Sequence, residues 1–382
     1  QGRRAPTGES DVGRTSPEAA YFSYAPYVFS RQDEQGERQP IFASITDAVN
    51  HTHFPDGAFD REIGVIITGS PELEAELRRS LRATGLADAD IITFGLPAEQ
   101  VRFGNGSDAD LIMLLQRFAL FSDQHFGPKA FFAGKLRKLS HEAGALTRAF
   151  VERMNTVERP ELVVNLGDVL EDDSPERDRA RYAEFLGIVS ELNAPLIHVA
   201  GNHDQIQLSE DDLRALWGHT GPLHYSRDVG GVHFVVLNTL ETKDVCVRLP
   251  KAQLEWLALD LAAASGPVVV LMHHPASEQD LTGNRWFEKA PHICRLAERR
   301  ELRRVLEQSG KVVAVFNGHA HWNHLDVIAG IPYVTLQSLI ENLDDDAPGR
   351  PAACFAVASL EPSRLIVRVE GAEQARYQFE LG

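Results

Sequence analysis

Short apolar runs alternate along the middle of the chain with stretches in which apolar residues return every three or four positions. Continuous runs rich in Val, Ile and Leu are typical of buried strands, whereas the longer spacing is typical of helices with one buried face. The runs predict strands over residues 118–121, 162–166, 196–200, 268–272 and 312–316. The longer spacing predicts helices over residues 142–155, 179–192, 254–264 and 295–308. This alternation predicts an α/β chain.

The two ends of the chain carry different patterns. Towards the C-terminal end, apolar and alternating segments predict strands over residues 332–337, 354–359, 364–370 and 377–381. Alternation within residues 365–369 indicates half-buried antiparallel pairing. Nearer the N-terminal end, residues 63–68 and 91–94 predict two strands around a helix over residues 71–84. Ser107 and Asp110 predict the cap of a further helix that runs to about residue 116.

Composition limits the partners and the compartment. The 382 residues carry a formal net charge of −17, which argues against binding to nucleic acid. The three cysteines are widely spaced beside apolar stretches, so we expect free thiols in a reducing compartment. No apolar stretch is long enough to cross a bilayer, which predicts no membrane partner and a cytoplasmic location. Because the sequence opens with Gln1 rather than Met, a removed leader remains an alternative.

Five short clusters of carboxylate, imidazole and amide side chains follow the five central strands. They are Asp123-Gln124-His125, Gly167-Asp168, Gly201-Asn202-His203-Asp204, His273-His274 and Gly318-His319-Ala320-His321. Because loops at strand ends position functional groups, we expect these clusters to converge on one edge of a sheet. Imidazole and carboxylate without thiolate favour manganese, iron, zinc or nickel. The clusters therefore predict a metal site.

In order and in residue type, the clusters resemble the signature of the calcineurin-like metallophosphoesterase family, which runs D-x-H, G-D, G-N-H-[DE], H and G-H-x-H. The resemblance covers the chain from about residue 117 to residue 340. It implies a four-layer αββα sandwich of two mixed β-sheets flanked by helices. We therefore expect a flexible tail at residues 1–17, an additional N-terminal α/β extension at residues 18–116, and a catalytic domain at residues 117–382 that includes the C-terminal strands.

The chemistry of phosphate esters explains why such a site needs two metal ions. The charged oxygens of the ester repel nucleophiles, and two cations about 3.5–4 Å apart both neutralise that charge and generate a hydroxide between them. A carboxylate can bridge the two ions whereas a neutral imidazole cannot, and Asp168 is the natural bridge. By resemblance, one ion is held by Asp123, His125, Asp168 and His321. The other is held by Asp168, Asn202, His273 and His319. The expected cofactors are thus two divalent ions, with manganese or iron favoured.

The resemblance also implies which residues meet the substrate. His203 contacts the phosphate and protonates the leaving oxygen, and Asp204 orients or charges its imidazole. Asn202 and His203 are therefore expected to bind substrate, and His324 is a further candidate at the mouth of the pocket.

Other histidines have weaker claims to a role. Of the adjacent pair, His273 directly follows the strand and is the expected ligand, so His274 is expected to point away. His51 and His53 look like a ligand pair but have no partner cluster, so we expect them to lie in a surface loop.

The expected activity is hydrolysis of small phosphodiesters, such as cyclic nucleotides or nucleotide diphosphate conjugates, by attack of the bridging hydroxide. The purple acid phosphatase branch places a tyrosine ligand where this chain has Glu171, which makes the class III cyclic nucleotide phosphodiesterases the nearer resemblance. A phosphomonoesterase or a nuclease on the same scaffold is the alternative. The intact clusters disfavour a non-catalytic interaction protein. The oligomeric state stays open, with a homo-oligomer as one alternative.

Overall fold

The computed structural model describes residues 23–24, 27–32, 38–44, 49–50, 64–68, 71–83, 86–95, 111–113, 116–242, 245–361 and 363–381. Its contacts divide the chain into two units, one that ends at Leu115 and one that runs from Gln116 to Leu381. The three-segment division expected from the sequence, with a flexible tail at residues 1–17, stays a prediction.

The first unit contains short strands and a helix. Its strands are β1 (Ser23–Tyr24), β2 (Tyr27–Gln32), β3 (Arg38–Ser44), β4 (Val49–Asn50), β5 (Gly64–Thr68), β6 (Ile91–Gly95) and β7 (Leu111–Met113). Helix α1 (Pro71–Ala83) and a 3₁₀ turn (Asp88–Asp90) lie between β5 and β6. β5 and β6 pair in parallel, as a β-α-β unit requires. The predicted strand-helix-strand pattern is therefore confirmed.

The helix predicted after Ser107 and Asp110 is wrong. Leu111–Met113 instead forms β7, which pairs antiparallel with β2, and Gln116 already belongs to the next strand. A short apolar run does not distinguish a strand from a helix by its period alone. A pairing partner about 80 residues earlier in the chain decided the outcome.

The second unit alternates strands with helices and then ends in antiparallel strands. Its strands are β8 (Gln116–Phe121), β9 (Leu162–Asn165), β10 (Leu196–His198), β11 (Tyr225–Val229), β12 (Val232–Val236), β13 (Leu240–Glu241), β14 (Val247–Arg248), β15 (Val268–Leu271), β16 (Val312–Asn317), β17 (His324–Ile328), β18 (Ile331–Thr335), β19 (Phe355–Glu361), β20 (Arg364–Glu370) and β21 (Ala375–Glu380). Its α-helices are α2 (Ala143–Arg153), α3 (Pro175–Val189), α4 (Asp204–Gln207), α5 (Glu210–Trp217), α6 (Lys251–Ala263) and α7 (Arg299–Ser309). Other helical turns are Ser140–Glu142, Met154–Glu158 and Pro291–Ile293.

Two six-stranded mixed sheets form the centre of this unit. Sheet I has the strand order β10-β9-β8-β19-β20-β21, and sheet II has the order β11-β12-β15-β16-β18-β17. In sheet I, β8, β9 and β10 are parallel, whereas β19, β20 and β21 pair antiparallel. In sheet II, β12, β15, β16 and β18 are parallel and the two edge strands are antiparallel.

Alternate residues of β8 explain how the layers pack. Phe118 is fully buried and meets Phe234 and Phe316 of sheet II edge-on, at ring-centroid distances of 5.2 and 5.8 Å. Phe121 points the other way and stacks on Phe150 of α2 at 4.3 Å. Helices α6 and α7 cover the outer face of sheet II through Leu257, Leu261, Leu302 and Leu306. The predicted αββα sandwich is therefore confirmed.

Most central elements lie where the pattern predicted them, and the departures have local causes. Helix α3 begins at Pro175, four residues before the predicted start, because Ser174 accepts a hydrogen bond from the backbone of Arg177 and caps the helix. The three cysteines are free, as expected. In the part of the chain that the structure describes, no helix combines the length and apolarity needed to cross a bilayer.

A histidine joins the edge of sheet II to helix α6. The Nδ1 atom of His233 lies 2.7 Å from the Asp228 carboxylate, and its Nε2 atom lies 2.9 Å from the Asp260 carboxylate. Burial alone would lower the pKa of His233, but these hydrogen bonds and charges outweigh burial and raise it. A raised pKa in the folded state stabilises the protein fully below the unfolded value of about 6.5, and this contribution is lost as the pH rises through the folded value.

Replacing Asp260 with Asn should therefore destabilise the protein by about 1 kcal/mol at pH 6. The difference between wild type and Asp260→Asn should shrink at pH 9, because the stabilisation by a protonated His233 is lost as the pH rises through its folded-state pKa. Denaturant unfolding at the two pH values measures this change. Equal differences at pH 6 and pH 9 would contradict the expected charge on His233.

Candidate metal centre

All five clusters lie at one end of the sandwich, where the two sheets meet. One cluster follows the end of each of five parallel strands. These are β8, β9 and β10 of sheet I and β15 and β16 of sheet II. The backbone N–H of His319 donates to the Asp123 carboxylate at 3.0 Å, which joins sheet II to sheet I. The Nδ1 atom of His273 donates to the Leu166 carbonyl at 2.8 Å and joins the sheets a second time.

Glycines in the clusters allow this close approach. A Cβ atom at Gly201 would overlap the carboxylate and backbone of Asp168, and one at Gly318 would overlap Ser122 and the Asp123 carboxylate. These positions therefore admit no side chain while the loops keep their present places.

Five of the seven predicted ligands have a left-handed backbone. They are Asp123, His125, Asp168, His319 and His321, with φ between 44° and 65°. This region costs non-glycine residues of order 1–3 kcal/mol each and persists only where surrounding contacts enforce it. Backbone hydrogen bonds do so here: Asp123 donates to Gly167 at 2.9 Å, and His125 donates to Asp168 at 3.0 Å. Such strain is typical of functional sites.

Four buried residues form a first donor group: Asp123, His125, Asp168 and His321. The Nε2 atoms of His125 and His321 lie 3.0 Å apart. The Asp123 Oδ1 atom lies 3.5 Å from the Nε2 atom of His321. The Asp168 Oδ2 atom lies 3.7 Å from the Nε2 atom of His125. The structure thus brings together the residues predicted to hold one ion.

The second donor group contains Asp168 again, with His273, His319 and Asn202. The Nε2 atom of His273 lies 3.2 Å from Asp168 Oδ2 and 3.2 Å from the Nδ1 atom of His319. The Asn202 Oδ1 atom is buried and has no hydrogen-bond partner among the described residues. Asp168 Oδ2 therefore faces imidazoles of both groups, which is the arrangement that a shared ligand requires.

In the first group, the hydrogen bonds of the two Nδ1 atoms determine which way the Nε2 lone pairs of His125 and His321 point. The Nδ1 atom of His125 donates to the Leu170 carbonyl at 3.1 Å, and that of His321 donates to the Glu341 carboxylate at 2.7 Å. When each ring is neutral, its proton is on Nδ1, so both facing Nε2 atoms present lone pairs. Two lone pairs 3.0 Å apart repel each other unless a cation lies between them. A divalent ion fits this arrangement.

The second group repeats this arrangement. The Nδ1 atom of His273 is occupied by the Leu166 carbonyl, and the Nε2 atom of His319 lies 3.3 Å from the Ile293 carbonyl. The remaining nitrogens of the two rings face each other at 3.2 Å. The donor set of both groups therefore fits two divalent ions.

The carboxylates and imidazoles shift one another's pKa values. Burial would raise the pKa of Asp123, but the hydrogen bond and charge of His321 outweigh it and lower the pKa to about 2. Burial would lower the pKa of His273 and His321, but the neighbouring carboxylates raise both to about 9. Burial and the charge of Lys138 together lower the pKa of His125 to about 4. A metal ion must therefore displace protons from His273 and His321.

His274 lies closer to the second donor group than expected, because one of its ring nitrogens lies within 4.8 Å of ring nitrogens of His273 and His319. Its Nδ1 atom lies 2.7 Å from the hydroxyl of Thr239, and its ring packs 4.2 Å from that of His319. Its buried Nε2 atom has no hydrogen-bond partner among the described residues. His274 therefore adds a third imidazole beside the second donor group, while the nitrogens of His273 reach the Asp168 carboxylate and the Leu166 carbonyl.

The expected pairing of Asp204 with the His203 imidazole is wrong. Asp204 is fully buried, and its carboxylate accepts backbone N–H groups of Asp168, Val169, Leu170 and Gly201 at 2.9–3.3 Å. The partner of the imidazole is Asp172, whose Oδ1 atom lies 2.6 Å from His203 Nδ1. Since Asp204 opens helix α4, its side chain turns back onto the loop after β9. Asp204 therefore holds the loop that carries Asp168.

Sequence reasoning missed the acidic partners of two ligands. Glu341 holds His321, and its carboxylate also accepts the indole N–H of Trp286 at 3.2 Å. Glu171 lies 3.1 Å from the Nδ1 atom of His125. Glu341 lies in an irregular segment after β18, where no pattern in the sequence marks it. Such partners orient ligands and typically change metal affinity 10–100-fold when replaced.

A cavity of about 280 Å³ opens beside the two donor groups. Polar residues of the site line one part of it: Lys138, Asp168, Glu171, Asn202, His203, Glu241, His319 and His321. Apolar side chains line the rest: Phe132, Trp286, Phe287 and Ile293. The cavity thus offers charge and metal ligands beside an aromatic wall.

Two expectations about other histidines have different outcomes. His324 is not among the lining residues, so its predicted place at the pocket mouth is wrong. It is the first residue of β17, which pairs with β18, and its Nε2 atom lies 3.2 Å from Asp326 Oδ1. His51 and His53 lie outside the described residues.

Replacing Asp168 with Ala should remove both metal ions, because both donor groups lose their shared carboxylate. Asp172→Ala is the matched control, since that carboxylate bonds to the imidazole of His203 and lies outside both donor groups. Metal analysis of the purified, metal-loaded proteins should find two ions per chain in wild type and in the control. Retention of both ions by Asp168→Ala would refute the shared ligand.

Comparisons with known proteins agree with this geometry. A probable cyclic nucleotide phosphodiesterase of Synechococcus is 31% identical over 170 residues, which are 42% of this chain and 58% of that protein. A cAMP/cGMP dual specificity phosphodiesterase of Mycobacterium tuberculosis is 28% identical over 179 residues, which are 46% of this chain and 52% of that protein. The matched part therefore spans little more than half the length of these curated relatives.

A solved structure shares the fold. A dimetal phosphatase from Danio rerio superposes with a TM-score of 0.57 at 18% identity, over 70% of this chain and 99% of that chain. The profile of the calcineurin-like phosphoesterase family matches residues 116–323, which are more than half of the chain and include all five clusters. This protein therefore belongs to the calcineurin-like phosphoesterase family.

Proposed function

We propose that this chain hydrolyses small phosphodiesters, such as cyclic nucleotides or nucleotide diphosphate conjugates, with two divalent metal ions. One observation carries the proposal: a single cavity contains His203 beside two buried donor groups that share Asp168. The names of the relatives from Synechococcus and Mycobacterium tuberculosis support the substrate class. The aromatic side chains that line the cavity support it as well, because aromatic rings can stack on a nucleobase.

In this proposal the seven predicted residues hold the metals. One ion is held by Asp123, His125, Asp168 and His321, and the other by Asp168, Asn202, His273 and His319. Manganese or iron is favoured because the donors are imidazoles, carboxylates and one amide, with no thiolate. Bound there, two divalent ions supply positive charge to the phosphoryl oxygens and an activated water near neutral pH.

His203 is the proposed general acid. Its Nδ1 atom is occupied by Asp172, which leaves Nε2 to give a proton to the leaving oxygen. Burial lowers the pKa of His203, but the charge of Asp168 and the hydrogen bond with Asp172 outweigh it and raise the pKa. A raised pKa favours the protonated ring, which is the form that a general acid needs. Asp172, rather than Asp204, therefore positions the acid.

We also propose that the protein works in the cytoplasm. The three cysteines are free, and two of them, Cys294 and Cys354, are buried. Unpaired thiols are typical of a reducing compartment.

A substrate panel tests the activity. The manganese-loaded protein should hydrolyse bis(4-nitrophenyl) phosphate and cyclic AMP with a higher kcat/KM than 4-nitrophenyl phosphate. The Asp168→Ala protein, purified in parallel, controls for contaminating hydrolases. A higher kcat/KM on the monoester would assign the site to phosphomonoesters. Failure to cleave any phosphoester with manganese or iron would overturn the proposed function.

Replacing His203 with Ala tests the acid. Turnover of cyclic AMP, whose alkoxide leaving group needs a proton, should fall by about 10²–10⁴-fold. Turnover of bis(4-nitrophenyl) phosphate should fall far less, because nitrophenolate leaves without a proton. The exposed His292→Ala serves as the control. Equal losses on the two substrates would assign His203 to positioning alone.

A further inference from the structure

A buried lysine lines the cavity beside the metal ligands. Lys138 is 5% exposed, and its ammonium lies 2.9 Å from the Glu171 carboxylate. The rings of Phe132 and Trp286 lie 5.5 and 5.2 Å from the ammonium. Lysine is almost never this buried unless it is paired, so the charge needs an explanation.

The hydrogen bonds of this ammonium are incomplete. It has three N–H donors, and Glu171 accepts one of them. The other nearby atom, His125 Nδ1 at 3.5 Å, donates to the Leu170 carbonyl and cannot accept a hydrogen bond at the same time. Among residues 116–242, 245–361 and 363–381, two N–H groups of Lys138 therefore have no acceptor, although the residue faces the cavity.

The surrounding charge indicates what the free donors bind. Two divalent cations at the donor groups repel a third positive charge placed next to them. Glu171 offsets this repulsion only in part, because its carboxylate carries a single negative charge. An anion with oxygen acceptors, bound between the metal ligands and the ammonium, would satisfy both the charge and the two donors.

We propose that Lys138 is a substrate-binding residue whose free N–H groups bind a non-bridging phosphoryl oxygen, a contact that strengthens with the negative charge on phosphorus. The inference rests on the proposed hydrolase function and adds a specificity determinant to it. A phosphomonoester carries up to two charges on its phosphoryl group and a diester carries one. The attraction to a fixed ammonium grows with that charge, so loss of Lys138 affects the monoester more.

The experiment compares Lys138→Met with wild type, both loaded with manganese. Inorganic phosphate should bind the variant about tenfold or more weakly, as expected for a lost hydrogen bond to a charged group. The ratio of kcat/KM on 4-nitrophenyl phosphate to that on bis(4-nitrophenyl) phosphate should fall by a similar factor. Calorimetry with phosphate measures binding without turnover, and metal analysis verifies that both ions remain.

Two further variants isolate the charge. Lys135→Met is the matched control, because Lys135 lies three residues away, is exposed and pairs with Asp345 outside the cavity. It should match wild type in phosphate affinity and in substrate ratio. Lys138→Arg retains the charge and should keep most of the ratio. If Lys138→Met does not fold, Lys138→Gln, a shorter polar replacement, gives the same comparison.

Unchanged phosphate affinity with equal losses on both substrates would overturn the proposal and leave Lys138 a structural residue. Failure of the Lys138 proposal is distinguishable from failure of the proposed function. Wild-type protein that cleaves no phosphoester refutes the hydrolase, whereas the phosphate affinity of the variants still decides the role of Lys138.

Discussion

The charge of one buried carboxylate, Asp168, governs how the rest of the site is built. Its Oδ2 atom faces the His273 imidazole of sheet II at 3.2 Å and the His125 imidazole of sheet I at 3.7 Å. Burial works against its ionisation, yet the surrounding imidazoles hold the pKa of Asp168 well below its usual range. A buried charge is costly unless cations neutralise it, whether these are protonated rings or metal ions. The two sheets therefore meet where imidazoles and metal ions can surround the Asp168 carboxylate.

The second requirement is that the ligands cannot turn away from this anion. In each imidazole of the two donor groups, the ring nitrogen that faces away from the site contacts an acceptor oxygen. These oxygens belong to Leu166, Leu170, Ile293 and Glu341. Asp204 fixes the loop of Asp168 through four backbone N–H groups. These contacts also enforce the left-handed backbone of five ligands. The ligand side chains are thus held in fixed positions, as electrostatic catalysis requires.

Two kinds of residue line the cavity. His203 and members of the donor groups line it together with the aromatic residues Phe132, Trp286 and Phe287, and the ring of Phe287 lies 4.8 Å from that of His319. Trp286 also donates to Glu341, which holds the ligand His321, so the wall and the metal ligands share one hydrogen-bond network. Lys138 contacts both kinds of residue, since its ammonium lies 2.9 Å from the Glu171 carboxylate and 5.2 Å from the ring of Trp286. In the proposed function, the phosphoryl group contacts the donor groups and His203, and the organic part of the substrate contacts the aromatic side chains.

The sequence by itself determined the order and identity of the clusters, because a metal ligand must be a particular residue type and parallel strands carry their loops to one edge. It also determined most strands and helices of the second unit, since burial on one face imposes a period on apolar residues. Only the tertiary structure decided which side chains and strands pair with each other, because adjacency in sequence does not specify these partners. It paired His203 with Asp172 instead of Asp204, and it supplied Glu341 from an irregular segment. It turned Leu111–Met113 into a strand and placed His324 on β17. For His203, His321 and Leu111–Met113 the partner lies 20 or more residues away in the chain, and local patterns contain no information about such distant partners.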